Sequence, residues 1–312
     1  MIPALITVGV LLLLWALAHT KLSRPDGEII RNLHPYRKLM PYVMIGRNES
    51  VVYFDSYVNA EELLKYLKEA NEHFPCNVTH ACVAAGFVGL SEQPSMNFFT
   101  VGKRLYKRKA KYITFSMKRK KKNKKAKLSA VKTRCNDGWT FKDMCVYIDE
   151  NIAVERSGKK TYADKEFDIF KVIPRPIMVG AQKLLTGLDY FNMLPGGFIE
   201  GDGMYTSIFV ANLGSVGMDP GYHHLYEWGN CPLFMMVGQI SDRPVVENGE
   251  VVVRKQMHVR WSFDERIDDG LSANYGIRSV KRALENPYQY LGCLKADGSD
   301  ERPLDTPLVE DE

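Results

Sequence analysis

Residues 2–18 (IPALITVGVLLLLWALA) form an unbroken apolar run with no charge. About 17 such residues is the lower limit for crossing a bilayer. A cleaved secretory signal would call for a basic start and a clear small-residue cleavage site. No Lys or Arg comes before Lys21, and Ala16-Leu17-Ala18 is a weak match. The run therefore reads as an uncleaved transmembrane anchor over 1–20, followed by a linker over 21–27. Lys21, Arg24, Arg31, Arg37 and Lys38 follow it closely. Positive charge stays on the cytoplasmic side, so the expectation is a single-pass membrane protein with its globular body in the cytoplasm.

Beyond residue 28 the pattern alternates between strands and helices. Ser50–Phe54 reads as a strand. Asn59 with Glu62 marks a helix start, and Leu63, Leu64 and Leu67 give helical spacing over 61–71. Residues 78–90 (VTHACVAAGFVGL) are apolar nearly all round, as in a buried helix. Residues 111–117 and 126–133 flank a charged turn and read as a hairpin with its tip at Lys118–Lys125. Helical patterns recur over 139–157 and 177–192, and Thr161–Lys165 reads as loop. Leu194-Pro195-Gly196-Gly197 marks a turn before a strand at Tyr205. From Asp297 the chain is acidic and poor in apolar residues, which suits a disordered tail over 297–312.

Composition adds one asymmetry. The net charge of +5 hides a segment, Lys103–Arg134, with 16 Lys and Arg and no Asp or Glu; elsewhere 26 basic residues face 37 acidic ones. The Lys118–Lys125 run is a solvated loop on the plainest reading. On a tethered protein it can also touch anionic lipid headgroups. It carries no interleaved aromatic side chains, which argues against a nucleic-acid reader. The six cysteines show no CxxC pair or metal-ligand spacing, so no metal is expected, and a reducing compartment is.

The stretch Asp264-Glu265-Arg266-Ile267-Asp268-Asp269-Gly270 decides the family. It resembles the His-x-x-x-Asp-Gly motif of the acyltransferase catalytic domain of the 2-oxo acid dehydrogenase complexes, which shares its fold with chloramphenicol acetyltransferase. Glu265 stands where that family has its histidine. Thr206–Gly217 is similar to the family's Thr-x-Ser-Asn-Leu-Gly-Ser-x-Gly strand and turn, with Ala211 at the oxyanion-stabilising serine. Residues 237–253 resemble a family hairpin, and Leu284-Glu285-Asn286-Pro287 its closing segment. Glu92–Asn97 is a looser match.

The resemblance implies an α/β fold: a two-layer sandwich of the chloramphenicol acetyltransferase-like type, a mixed sheet packed on helices, over 28–296. It implies a homotrimer, here tethered by three N-terminal helices, with a site in a channel between subunits. It also implies coenzyme A chemistry, an acyl group passing from an acyl-CoA thioester to an acceptor. No lipoyl attachment is expected in this chain.

The candidate site residues are Glu265, Asp269, His223 and His224. A histidine suits thiol or hydroxyl deprotonation near neutral pH. A carboxylate is a weaker base unless burial raises its pKa. Glu265 can thus be a surviving base, a remnant in a silent site, or a ligand for a cation. Asp269 is the counterpart of a family aspartate held in a structural ion pair. His223 and His224, in Tyr222-His223-His224-Leu225-Tyr226-Glu227-Trp228, can supply the missing base or simply pack; a metal site with Glu227 is the remote alternative. Two functions follow: a membrane-anchored acyltransferase, or a catalytically inactive homologue serving as a trimeric scaffold or ligand-binding module.

Overall fold

The computed structural model of the chain describes residues 2–119, 128–157 and 173–307. Residues 120–125 of the lysine run and the Thr161–Lys165 loop lie outside them.

Six strands form the main sheet: β2 (Val51–Asn59), β5 (Lys111–Lys118), β6 (Leu128–Cys135), β7 (Ile208–Asn212), β8 (Leu233–Glu247) and β9 (Glu250–Asp264). Their order is β2-β9-β8-β7-β5-β6. β7 runs parallel to both neighbours and the other pairs are antiparallel, so the sheet is mixed. A small sheet pairs β1 (Gly27–Ile29), β4 (Arg104–Arg108) and β3 (Phe98–Val101) in that order. This is the mixed-sheet α/β architecture that the motif resemblance implies.

One face of the main sheet is apolar because alternate strand residues point to it. Ile208 and Val210, Leu233, Met235 and Val237, and Val259, Trp261 and Phe263 all enter the main core. Against them pack α3 (Glu61–Ala70), α4 (Val78–Glu92), α5 (Phe141–Arg156) and the Gly270–Glu285 helix. Asn77 caps α4 by accepting from the N–H groups of Thr79 and His80. Every α4 residue from His80 to Leu90 is buried, as its all-round apolar pattern predicts. Gly89 permits the close crossing of the Gly270–Glu285 helix: a Cβ there would sit 2.7 Å from Val280 Cγ2.

The long hairpin β8–β9 turns at Asn248-Gly249, both in the left-handed region (φ 52° and 86°), the dipeptide that a two-residue hairpin turn favours. β5 and β6 pair as the expected hairpin. β2 runs five residues past the predicted Phe54, because every residue from Val51 to Asn59 finds a partner on β9. Asn59 then caps α3 from one position upstream, its Oδ1 accepting from the Glu61 N–H at 3.1 Å.

At the termini, two expectations need correction, the loose linker and the disordered tail. A helix, α1, does form over Ile2–Thr20, but among the described residues no helix is long and apolar enough to cross a membrane. Residues 21–27 are not a loose linker. The Arg24 guanidinium donates to Asp26 (2.6 Å) and Asp189 (3.0 Å), while Arg108 and Asn230 also donate to Asp26 (3.4 and 2.7 Å). Burial alone would raise the Asp26 carboxyl, yet Arg24 and Arg108 hold it below its usual value. Residues 297–307 are likewise packed: Leu304 is buried in the core and its N–H donates to Trp139 O at 2.8 Å.

Candidate functional site

The other face of the main sheet carries the candidate residues. β9 ends at Asp264, fully buried on that face. Arg266 closes on it with two parallel bonds, Nε to Oδ1 at 2.8 Å and Nη2 to Oδ2 at 2.7 Å. Ser50 Oγ and the Arg266 N–H add donations to Oδ1 at 2.9 and 3.1 Å. This pair folds the turn that presents Glu265. The Glu265 N–H donates to Ser50 O at 3.0 Å, and its carbonyl accepts from Arg37 Nη1 at 3.3 Å. The side chain is half-buried.

Asp269 serves the backbone. It is the N-cap of the Gly270–Glu285 helix, accepting from the Ser272 N–H at 3.0 Å. Arg37, from α2 (Pro35–Val43), lies 3.2 Å from both Asp268 Oδ1 and Asp269 Oδ2. The Ser272 N–H first, and Arg37 with it, hold the Asp269 carboxyl below its usual value. Asp269 thus makes an ion pair with a residue from a distant helix.

Ala211 lies in a small apolar cluster with Leu225, Cys231, Phe234 and Met236, and is only 9% exposed. The next residue, Asn212, organises the turn: it donates to Thr79 Oγ1 (3.1 Å) and accepts from the Ser215 N–H (3.0 Å).

The loop between parallel strands β7 and β8 folds over this face and carries both histidines. The His223 ring stacks on Phe234, with centroids 4.6 Å apart, and on His224 at 5.2 Å. Its backbone carbonyl accepts from Ser262 Oγ at 2.5 Å. Its Nδ1 lies 2.7 Å from His224 O. A carbonyl only accepts, so Nδ1 carries the proton and Nε2 keeps its lone pair. Burial pushes the His223 imidazole below its usual pKa, which favours the neutral ring. His224 is more exposed, its Nδ1 3.1 Å from Leu225 O. Glu227 is not turned to the histidines; its Oε1 accepts from the Asn48 N–H at 3.2 Å.

The structure therefore brings His223 onto the sheet face of Ala211, because Phe234 touches both groups. Among the described residues, no hydrogen bond or ion pair joins the Glu265 carboxylate to His223, His224 or Asp269. Sequence reading missed Arg47, whose buried guanidinium donates to Tyr226 O, Glu227 O and Thr100 O at 3.3, 2.8 and 3.2 Å and so pins the histidine loop. It also missed Ser262. Neither has a local signature, since their partners lie tens of residues or more away.

Residues 202–292 match the family described as 2-oxoacid dehydrogenases acyltransferase (catalytic domain). The chain is similar to these acyltransferase domains. The matched stretch holds β7–β9 and all four candidate residues. A lipoamide acyltransferase component of the branched-chain alpha-keto acid dehydrogenase complex from Pseudomonas putida is 43% identical over 60 residues, 19% of this chain and 14% of that protein. The sequence likeness thus spans a small part of such relatives. A probable dihydrolipoamide acetyltransferase from Listeria monocytogenes superposes with a TM-score of 0.55 at 18% identity, covering 82% of this chain and 94% of that one. A truncated catalytic core of the 2-oxoacid dehydrogenase multienzyme complex from Thermoplasma acidophilum gives 0.52 at 16% identity, covering 83% and 99%. The acyltransferase-like fold therefore extends over most of the chain, well beyond the matched stretch.

Proposed function

We propose that the chain is an acyltransferase that takes its acyl group from a coenzyme A thioester, with His223 as the general base. One observation carries this reading: the Nδ1–H of His223 is committed to a carbonyl, leaving Nε2 basic on the sheet face that holds Ala211. That is the tautomer a proton acceptor needs. Glu265 stands at the position where the resemblance sets the family's histidine. In the reaction Nε2 takes the proton of an incoming thiol or hydroxyl. The nucleophile attacks the thioester carbonyl, and coenzyme A leaves as the thiol. A homotrimer with the site between subunits, and attachment to a membrane through α1, complete the reading.

A second reading is a catalytically silent trimeric scaffold or ligand-binding module. Ala211 favours it, since a methyl group in an apolar cluster offers no donor to a tetrahedral oxyanion.

Calorimetric titration of the full chain with coenzyme A and acetyl-coenzyme A separates the two. Saturable binding at one ligand per subunit, with heat altered in Glu265→Ala, supports the acyl-CoA reading. Absence of heat at high ligand concentration overturns it and leaves the scaffold.

A further inference from the structure

Three helices converge on a single tight turn. The turn joins β3 to β4 and contains Gly102, Lys103 and Arg104. Arg104 donates to the carbonyls of His19 (2.5 Å) and Lys21 (3.4 Å), closing the C-terminus of α1. Gly102 (φ 57°) passes so close to the end of the Arg175–Tyr190 helix that a Cβ would sit 2.3 Å from Tyr190 O. Lys103 Nζ donates to Pro41 O of α2 at 2.6 Å and lies 6.0 Å from the Tyr42 ring centroid. His19 of α1 also packs edge-on against Phe191 at 4.9 Å. The C-terminal end of α1, the Arg175–Tyr190 helix and α2 are therefore fixed to one corner of the domain.

That corner is apolar where it should be polar. On α2 and just after it, Leu39, Tyr42 and Ile45 are 55%, 63% and 70% exposed; on the Arg175–Tyr190 helix, Ile177 and Leu184 are 60% and 64% exposed, and no residue of that helix is buried. Exposed apolar side chains grouped in this way mark a surface with a partner. The segments that carry them are basic, and the acidic groups nearby, Asp268 and Asp269, are paired with Arg37. Segments 30–47, 98–111 and 173–188 contain Arg and Lys and no Asp or Glu. Apolar and tyrosine side chains carried on segments rich in Arg and Lys match an anionic lipid surface: the apolar parts enter the acyl boundary and the cations meet the headgroups.

We propose that α2, the Arg175–Tyr190 helix and the β3–β4 turn form a platform that lies on an anionic membrane surface beside α1. It rests on the membrane attachment proposed above and adds a fixed orientation to it. α1 alone would tether the domain at any angle; the platform sets which face looks at the lipid. The hairpin tip at Val251 belongs to a different part of the fold, the far end of β8–β9.

The experiment uses the full chain reconstituted in phosphatidylcholine vesicles containing phosphatidylserine, with a lipid carrying a fluorescence quencher. All six native cysteines are buried, so a thiol-reactive fluorophore can be directed to Tyr42→Cys, Leu184→Cys, Leu13→Cys in α1, or Val251→Cys as the distant control. The expected result is quenching at positions 13, 42 and 184, none at 251, and a loss of quenching at 42 and 184 in Lys103→Glu or when phosphatidylserine is omitted. Quenching at 13 with positions 42 and 184 as unquenched as 251 overturns the platform and leaves the α1 attachment standing. No quenching at 13 either overturns both.

Discussion

Arg266 holds both carboxylate oxygens of Asp264, at 2.8 and 2.7 Å, with both side chains buried at the end of β9. The pair stands within the motif that marks the family, yet its work here is to fold the turn that carries Glu265. Removing one partner leaves the other charge buried and uncompensated, which typically costs about 3–5 kcal/mol. Asp264→Ala and Arg266→Ala are each expected to lower the unfolding free energy by that amount in chemical denaturation. The double variant should lose less than the sum of the two. Additive losses would mean that the two side chains are not coupled.

Ala211→Ser adds an oxyanion donor to the proposed site. In family-like acyl transfer one such donor contributes about 10²–10³ in rate. The variant is expected to raise kcat by that order with little change in KM, measured as thiol release from acetyl-coenzyme A. An unchanged kcat would mean that the reacting carbonyl does not sit over position 211.

The acid side of the pH profile belongs to His223. Burial holds its imidazole below the ordinary histidine value of 6.5. With the neutral ring as the base proposed above, activity should be on a plateau above that pH and fall only at lower pH. His223→Ala should lose the plateau and His224→Ala should keep it. A profile that is unchanged in His223→Ala would move the base elsewhere.

His80 supplies a separate test of stability. It is buried at the start of α4, 3.4 Å from Asp149 Oδ1, and neither ring nitrogen has a hydrogen-bond partner among the described residues. Burial first, against the pull of Asp149, holds its pKa below 6.5. On acidification the unfolded chain therefore takes up the proton before the folded one does. Stability is fully present above 6.5 and declines as the pH falls toward the folded-state value. Urea midpoints measured from neutral to acid pH should show this decline, and His80→Leu should reduce it.

Local chemistry made much of this legible. The all-round apolar 78–90 helix and the pairing of β5 with β6 each depend on neighbours close in sequence, and they formed where their patterns predict. The family motif placed β7–β9 and the Gly270 helix start. What stayed hidden depends on distant partners. Asp269 looked like half of an ion pair, but nothing near it in sequence pointed to Arg37. His223 could be named as a candidate base, while its proton location needed the position of the His224 carbonyl. Residues 297–307 read as disordered from their polarity, yet Leu304 is buried in the core and Asp305 accepts from the Gly138 N–H.

The buried network of Arg24, Asp26 and Arg108 fixes where this fold begins. Arg108 also donates to Thr206 O at 3.0 Å, directly before the β7 strand that carries Ala211. A shortened protein starting at residue 28, where the apolar pattern alone would place the boundary, lacks both Arg24 and Asp26. It keeps a fully buried Arg108 guanidinium without its carboxylate, a cost of several kcal/mol at the segment that leads into β7. The seven residues after α1 are therefore part of the domain's folded framework rather than a spacer, and any excised form of the domain has to start upstream of Arg24.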